Sequence, residues 1–435
     1  MRPQIAVFWF RRDLRLEDNA GLCHALQSGR PVLPLFIFDR EILDELEDKK
    51  DRRVEFIHQA LSEMQTELRR AGSSLLVRCG KPVQVWKQLL EEFDVAAAYA
   101  NHDYEPYAIR RDREIAELLK ERGIPFHTFK DQVIFEKSEV LSARGNPYTV
   151  YTPYRNRWKE LLTGEALKPF PSESLQENFW KSGALPIPGL SEIGFEATGA
   201  AFPAKALREE IVRDYHRRRN FPAVPGTTRL GVHLRFGTVS VRQLARRALE
   251  LNDAWLDELI WREFFMMILG HFSYVVDQPF KEKYAAIPWR NDENEFAAWR
   301  EGKTGYPLVD AGMRELNASG FMHNRVRMVV ASFLTKHLLI DWRWGERYFA
   351  KKLLDYELAS NNGNWQWAAG CGCDAAPYFR IFNPAAQAEK FDPQSEYLKK
   401  WAPELNSPAY PAPIVEHKFA RQRVLEVFKK ALEKQ

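Results

Sequence analysis

IAVFWF, residues 5–10, is a six-residue apolar run without a polar break, and four further β-rich runs follow it: VLPLFIF (32–38), SLLVRC (74–79), VAAAYA (95–100) and PFHTF (125–129). Between them lie helical segments such as RRVEFIHQALSEMQTELRRAG, whose Phe56, Ile57, Leu61, Met64 and Leu68 recur near a period of 3.6. Strand and helix units alternating at this spacing predict a parallel, doubly wound α/β sheet over residues 1–130. No G-x-G-x-x-G follows the first strand, so the usual dinucleotide fingerprint is missing. The sheet by itself names no ligand.

Beyond residue 130 the pattern changes. Residues 131–203 are irregular and rich in Pro, Ser and Gly, as in ALPIPGLSEIGFEATGAAFP, and read as a connector between two lobes. From 204 to 435 helical periodicity dominates, with starts such as Ser240 of TVSVRQLARRALE. Nine of the thirteen tryptophans fall after residue 250, so whatever uses them belongs to this helical lobe.

Composition bounds the rest. The chain has 435 residues, 45% hydrophobic and 28% charged, enough for two or three domains that each bury a core. The apolar run at Ile5 is followed at once by charges and no small-residue cleavage site, which argues against a signal peptide. No stretch is long enough to span a bilayer. Four scattered cysteines, Cys23, Cys79, Cys371 and Cys373, do not make a disulfide framework; they read as reduced thiols of a cytoplasmic protein, with no metal site in GCGCD. A formal charge of +4 allows a nucleic-acid partner without requiring one.

Three helical-lobe segments exceed ordinary core. In DELIWREFFMMILGHF, Glu258, Trp261, Arg262 and Phe265 stand at i, i+3, i+4 and i+7, so a carboxylate, an indole and a guanidinium share one face while the other faces are apolar. A structural Glu/Arg pair would account for that helix alone. In GFMHNRVRMVVASF, Asn324, Arg325 and Met328 share a face, with His323 and Arg327 directed elsewhere. The third, LLDYELASNNGNWQWAAGCGCDAAPYFRIFNP, offers Asp355 as a partner for a buried arginine and then two tryptophans behind paired amides.

These segments, with GTTRLGVHLRFG, EGKTGYPLVDAGMRELNASGFMHNRVRM, DWRWGERYF and FRRDLRLEDN, resemble the photolyase/cryptochrome family in order along nearly the whole chain, and within it the class I cyclobutane pyrimidine dimer photolyases. The resemblance implies an N-terminal α/β domain, a helical FAD-binding domain and a cavity that admits a lesion flipped out of UV-damaged DNA. It implies that Asn361 faces the flavin N5, where a neutral amide hydrogen-bonds without the cost of a buried charge. Trp365, Trp342 and Trp289 match an electron-transfer chain to the surface. Tyr215, Thr227, Thr228, Arg229, Leu230 and Gly231 match contacts to the FAD phosphates and ribose. Arg327 and Asp355 resemble the ion pair beside the flavin ring, Arg262 is shared between cofactor and DNA, and Glu357 stands where the family more often has Asp. Glu258, Trp261, Asn324, Met328 and Trp367 correspond to the lesion pocket, and Arg219, Arg325 and Gln387 to DNA contacts. Met328, where the lineage repairing (6-4) photoproducts has histidine, points to cyclobutane dimers; Glu258 and Met328 join Asn361 as the catalytic set.

The resemblance implies a monomeric lyase in which light drives an electron from reduced FAD to the dimer and back. A cryptochrome-type photoreceptor without repair shares fold, FAD and tryptophans. For the antenna chromophore, methenyltetrahydrofolate or 8-hydroxy-5-deazaflavin, YEPYAIRRD (104–112) has Tyr107 and Ala108 where folate-binding relatives have an Asn-Glu pair.

Overall fold

A computed structural model of the chain describes residues 4–433. The five expected strands form: β1 (Ile5–Phe10), β2 (Val32–Asp39), β3 (Leu76–Gly80), β4 (Val95–Asn101) and β5 (Phe126–Phe129). All pairings are parallel, in the order β3-β2-β1-β4-β5, with Phe8 opposite both Pro34 and Tyr99. Every residue of β1 is buried, which is why its sequence is continuously apolar rather than alternating. The helices α1 (Ala20–Leu26), α2 (Arg52–Arg70), α3 (Pro82–Glu92) and α4 (Pro106–Glu121) alternate with the strands. Trp9 of β1 meets Trp86 of α3 edge to face at 5.8 Å in one of the cores so formed.

The motif FRRDLRLEDN is structural here. Asn19 caps α1 by accepting from Leu22 N at 3.1 Å, and Arg15 and Arg242 both bind Asp131, at 2.6 and 2.9 Å. Burial alone would raise the Asp131 carboxyl; the two guanidinium groups instead hold it below the usual range.

The chain divides into two compact units interleaved along the sequence. The first holds residues up to Glu136, Leu161–Leu207 and Arg229–Glu250; the second holds Lys137–Glu160, Arg208–Thr228 and the chain from Leu251 onward. The seams therefore differ from the expected boundaries at 130 and 203. The stretch expected as one connector splits between the units, and the helix begun after Ser240, expected in the helical lobe, belongs with the sheet.

In the second unit the elements that matter below are α5 (Asp253–His271), α6 (Pro307–Ser319), α7 (Asn324–Ser332), α8 (Trp342–Lys352), α9 (Leu358–Ala369) and α10 (His417–Glu433). Two glycines allow close approach. A Cβ on Gly345 of α8 would stand 2.1 Å from the Trp365 ring, and one on Gly363 of α9 would stand 2.1 Å from Phe265 of α5. Bare backbone at these points lets α9 lie against α8 on one side and α5 on the other. No helix among the described residues is long and apolar enough to cross a membrane, and none of their His, Cys, Asp and Glu side chains cluster as a metal site.

Candidate active site

Helix α9 explains why the amides of NNGNWQW occur together: they face different ways. Asn362 and Gln366, one turn apart and both buried, donate to the Val275 carbonyl at 2.9 Å each, and Gln366 accepts from Phe280 N at 2.8 Å. They anchor the 275–280 loop. Asn361 and Trp365, also one turn apart, line a cavity of about 90 Å³ with Phe349, Leu353, Ala331 and Ala368 as apolar wall and Arg327, Asp355 and Glu357 as polar wall.

Asn361 is oriented by Glu346 of α8. Its Nδ2 donates to the Glu346 backbone carbonyl at 3.1 Å and to Oε1 at 2.9 Å. A backbone carbonyl can only accept, which fixes the nitrogen end of the amide there and leaves Oδ1 as the atom Asn361 can offer the cavity. Burial raises the Glu346 carboxyl above its ordinary range, partly offset by the Asn361 hydrogen bond.

Arg327, expected to point away from Asn324 and Met328, lies on the same cavity wall. Positions 324, 327, 328 and 331 are i, i+3, i+4 and i+7 on α7, so this is one helical face. The Arg327 Nη2 donates to both oxygens of Asp355, at 3.1 and 2.9 Å, and Nε donates to the Met322 carbonyl at 2.7 Å. Glu357, at the start of α9, pairs with Arg262 of α5 at 3.0 Å and accepts from Ser360 at 3.1 Å; both members of the pair are almost wholly buried.

A larger cavity of about 380 Å³ shares Asn324, Met328, Ser360, Asn364 and Trp367 with the first and adds Tyr215, Thr227, Glu258, Trp261, Arg262 and Phe265. The face read from DELIWREFF is thus a cavity wall. One face of the Trp261 ring stacks on Tyr151 at 3.5 Å and 8°, and Tyr151 is held by its own bond to the Asp257 carbonyl at 2.9 Å. Glu258 is hydrogen-bonded by Arg219. Its side chain is 37% exposed, opening into the cavity, where desolvation still raises its carboxyl against the pull of Arg219 and Tyr215. Arg325 donates to Asn220 at 2.7 Å and lies 4.4 Å over Phe391; burial and the neighbouring Arg219 and Arg380 make its positive charge harder to hold. Arg380 lies 5.8 Å over Trp367.

Other expected residues are placed differently. Arg229, with φ of 56°, Leu230 and Gly231 fall in the first unit, where Gly231 begins a short helix to Phe236, so the expected phosphate loop is divided between the units. Thr228 is half-buried just before that seam. Gln387 sits on the helix Pro384–Phe391 with its Oε1 buried and unpaired. Trp342 and Trp365 are each 2% exposed in the second unit's core; Trp289 is half-buried against it, meeting Phe428 at 5.8 Å. Sequence reasoning missed Glu346, Tyr151, Ser360 and Asn364. Ser360 and Asn364 stand two turns and one turn before Trp367 on α9, on the same cavity wall, and were legible by spacing; Tyr151 is too distant in sequence to signal its partner.

Known proteins resemble this chain along nearly its whole length. Residues 6–174 match the DNA photolyase family and residues 255–409 the FAD binding domain of DNA photolyase. Over 470 residues the chain is 39% identical to a deoxyribodipyrimidine photo-lyase of Synechococcus sp., covering 96% of this chain and 95% of that protein. Against the deoxyribodipyrimidine photo-lyase of Escherichia coli it is 37% identical, with 98% of each covered. Among solved structures, a class III photolyase from Agrobacterium tumefaciens superimposes with a TM-score of 0.88 at 32% identity, covering 100% of this chain and 99% of that one. A Sulfolobus tokodaii photolyase holding two FAD molecules gives 0.82 at 35%, covering 98% and 100%.

Proposed function

The chain belongs to the photolyase/cryptochrome family, and from that premise we propose that it is a deoxyribodipyrimidine photo-lyase, repairing cyclobutane pyrimidine dimers in UV-damaged DNA under light. The observation that carries the reading is the pair of abutting cavities. One presents Asn361, the Arg327–Asp355 pair and Trp365; the other presents Trp261, Glu258, Arg262 and Met328; five residues form the wall they share. Together their volume is of the size that cofactor sites have, a few hundred Å³.

The donor set suits FAD. A planar, largely apolar ring needs apolar walls with one acceptor aimed at its edge, which Phe349, Leu353, Ala331 and the Asn361 Oδ1 supply. When bound, FAD in its reduced form supplies the light-driven electron that splits the cyclobutane ring and takes it back, so no net oxidation occurs. The rest is positioning by the chain. Trp261, backed by Tyr151, offers a rigid stacking surface to an extruded base; Glu258 holds a hydrogen-bonding group against its edge; Met328 and Trp367 exclude water. Arg219, Arg325 and Gln387 take the DNA, and Trp342 and Trp289 carry electrons inward to Trp365. Tyr215, Thr227 and Thr228 serve the FAD phosphates.

We read the protein as a monomer of the cytoplasm; its four free cysteines support the compartment. A second chromophore, methenyltetrahydrofolate or 8-hydroxy-5-deazaflavin, belongs to the same reading; the Sulfolobus tokodaii relative adds FAD itself to the candidates.

The test is conversion of dimers in UV-irradiated oligothymidylate by chemically reduced holoprotein, in light and in darkness. Dimers should disappear in light alone. Stoichiometric flavin with no conversion in light would replace this reading with the cryptochrome-type photoreceptor, whose fold a Synechocystis cryptochrome shares at a TM-score of 0.83 and 26% identity.

A further inference from the structure

The wall common to the two cavities is made of two helical faces. Ser360, Asn364 and Trp367 stand at i, i+4 and i+7 on α9, and Asn324 and Met328 at i and i+4 on α7. Asn364 has an amide whose two ends can be told apart. One of its atoms lies 2.8 Å from the Ser360 carbonyl, which can only accept, so that atom is Nδ2 and the other is Oδ1. Oδ1 accepts no hydrogen bond from any described residue. The Ser360 hydroxyl cannot serve it, because it is donated to Glu357 at 3.1 Å. Asn364 is exposed, opening into the cavities it lines, and so offers them an uncharged acceptor. The larger cavity, of about 380 Å³, has another acceptor in Glu258, which comes from a different helix, α5.

We propose that Asn364 is a recognition residue for the pyrimidine dimer, its Oδ1 accepting the N3–H of one base while Glu258 accepts that of the other. This rests on the reading of the larger cavity as the site of the extruded dimer. A thymine in DNA has a single N–H, at N3, because N1 carries the sugar, so a thymine dimer brings two such donors into the cavity together. Each leaves water on entering and weakens binding unless an acceptor meets it. Glu258 meets one from α5 and Asn364 the other from α9, so a single extruded thymine would satisfy only one of them. The flavin side of the wall does not compete for Asn364, since Asn361 Oδ1 already faces that cavity. The arrangement is also selective. Cytosine has a lone pair at N3 where thymine has N–H, and a lone pair against Oδ1 is repelled. Turning the Asn364 amide to present Nδ2 instead would set Oδ1 against the Ser360 carbonyl. Thymine is therefore preferred to cytosine at the base Asn364 reads.

The test uses FAD-loaded full-length protein, parent and Asn364→Ala, with oligothymidylate carrying one dimer. Two further substrates have N3 methylated on either the upstream or the downstream base of that dimer. Alanine favours a helix more than asparagine does, so the variant keeps α9. Dissociation constants measured in darkness should rise about tenfold from parent to Asn364→Ala for the unmodified dimer. One of the methylated dimers should bind the parent about tenfold more weakly than the unmodified dimer, yet bind Asn364→Ala as well as the unmodified dimer does. The donor it lacks then has no acceptor to leave empty, and alanine leaves room for the methyl group. The other methylated dimer should lose the same factor in both proteins, as a base read by Glu258 would. Equal losses in parent and variant for both methylated dimers would overturn the proposal. So would loss of flavin from Asn364→Ala in the absence of DNA with normal dimer binding once flavin is restored, which would assign Oδ1 to the cofactor. Failure of the parent itself to bind or convert the unmodified dimer would instead overturn the repair reading beneath it.

Discussion

Asn361 and Asn362 are the same residue type with unlike work, and what separates them is a 100° step around α9. Spacing along a helix made the cavity face of α5 legible in the sequence, and the family resemblance that of α9. The partners that orient those faces were not, because Glu346 and Tyr151 arrive from other parts of the chain. Glu346 can be tested directly. Its folded-state carboxyl is raised, so the fold disfavours the charged form, and the parent loses stability as pH rises above the ordinary carboxylate range. Glu346→Gln keeps an acceptor for Asn361 and carries no charge. Urea denaturation from about pH 4 to 7 should show the variant gaining on the parent as pH rises; a constant difference would show that Glu346 titrates normally. The Arg262–Glu357 pair is more drastic. With both partners buried, Glu357→Gln leaves a guanidinium short of its counter-charge, and the denaturation midpoint should fall by an amount equivalent to about 3–5 kcal/mol.

At the scale of elements, the strands were readable to within two residues, most plainly β1, which is buried at every position and must therefore be apolar throughout. The close approach of α9 to its neighbours was not, since a glycine in a helix announces no partner. Gly363→Ala would drive a methyl into Phe265, and overpacking of this kind costs about 1–3 kcal/mol. A lower melting temperature with reduced flavin retention is expected; unchanged flavin content would mean that α5 yields without disturbing the cavity. The C-terminus of α9 depends on Lys336, in a π-helical turn at Phe333–His337, where Nζ donates to the Ala369 carbonyl at 2.6 Å and lies 4.0 Å over Phe428 of α10. Burial lowers this amine to about 7. Between that value and the ordinary lysine range near 10.4, the unfolded chain holds a proton that the fold lacks, so stability rises with pH by up to about 1.4 kcal/mol per unit. Melting measured from about pH 7 to 9.5 should show this rise in the parent and its absence in Lys336→Met.

At the scale of the molecule, a modest net charge of +4 says little about DNA; the grouping of Arg219, Arg325 and Arg380 says more, and that grouping depends on tertiary structure. If these side chains hold phosphates, affinity should fall with salt, and Arg325→Ala should reduce the log–log slope by about 0.9 on duplex DNA, equally for damaged and intact strands. An unchanged slope would remove Arg325 from the phosphate contacts. The sequence announced two kinds of architecture but not their interleaving, because composition changes once along the chain while the seams fall at 136, 160, 207, 228 and 250. That interleaving bears on synthesis. A ribosome delivers residues 137–160 long before most of the unit they belong to exists. Tyr151, Tyr154 and Trp158, buried in the finished protein, emerge with their partners Trp261, Glu263 and Phe264 still untranslated about a hundred residues behind. Until those arrive the nascent chain exposes an aromatic patch with nothing to cover it, the kind of surface that chaperones hold and that aggregates when they do not.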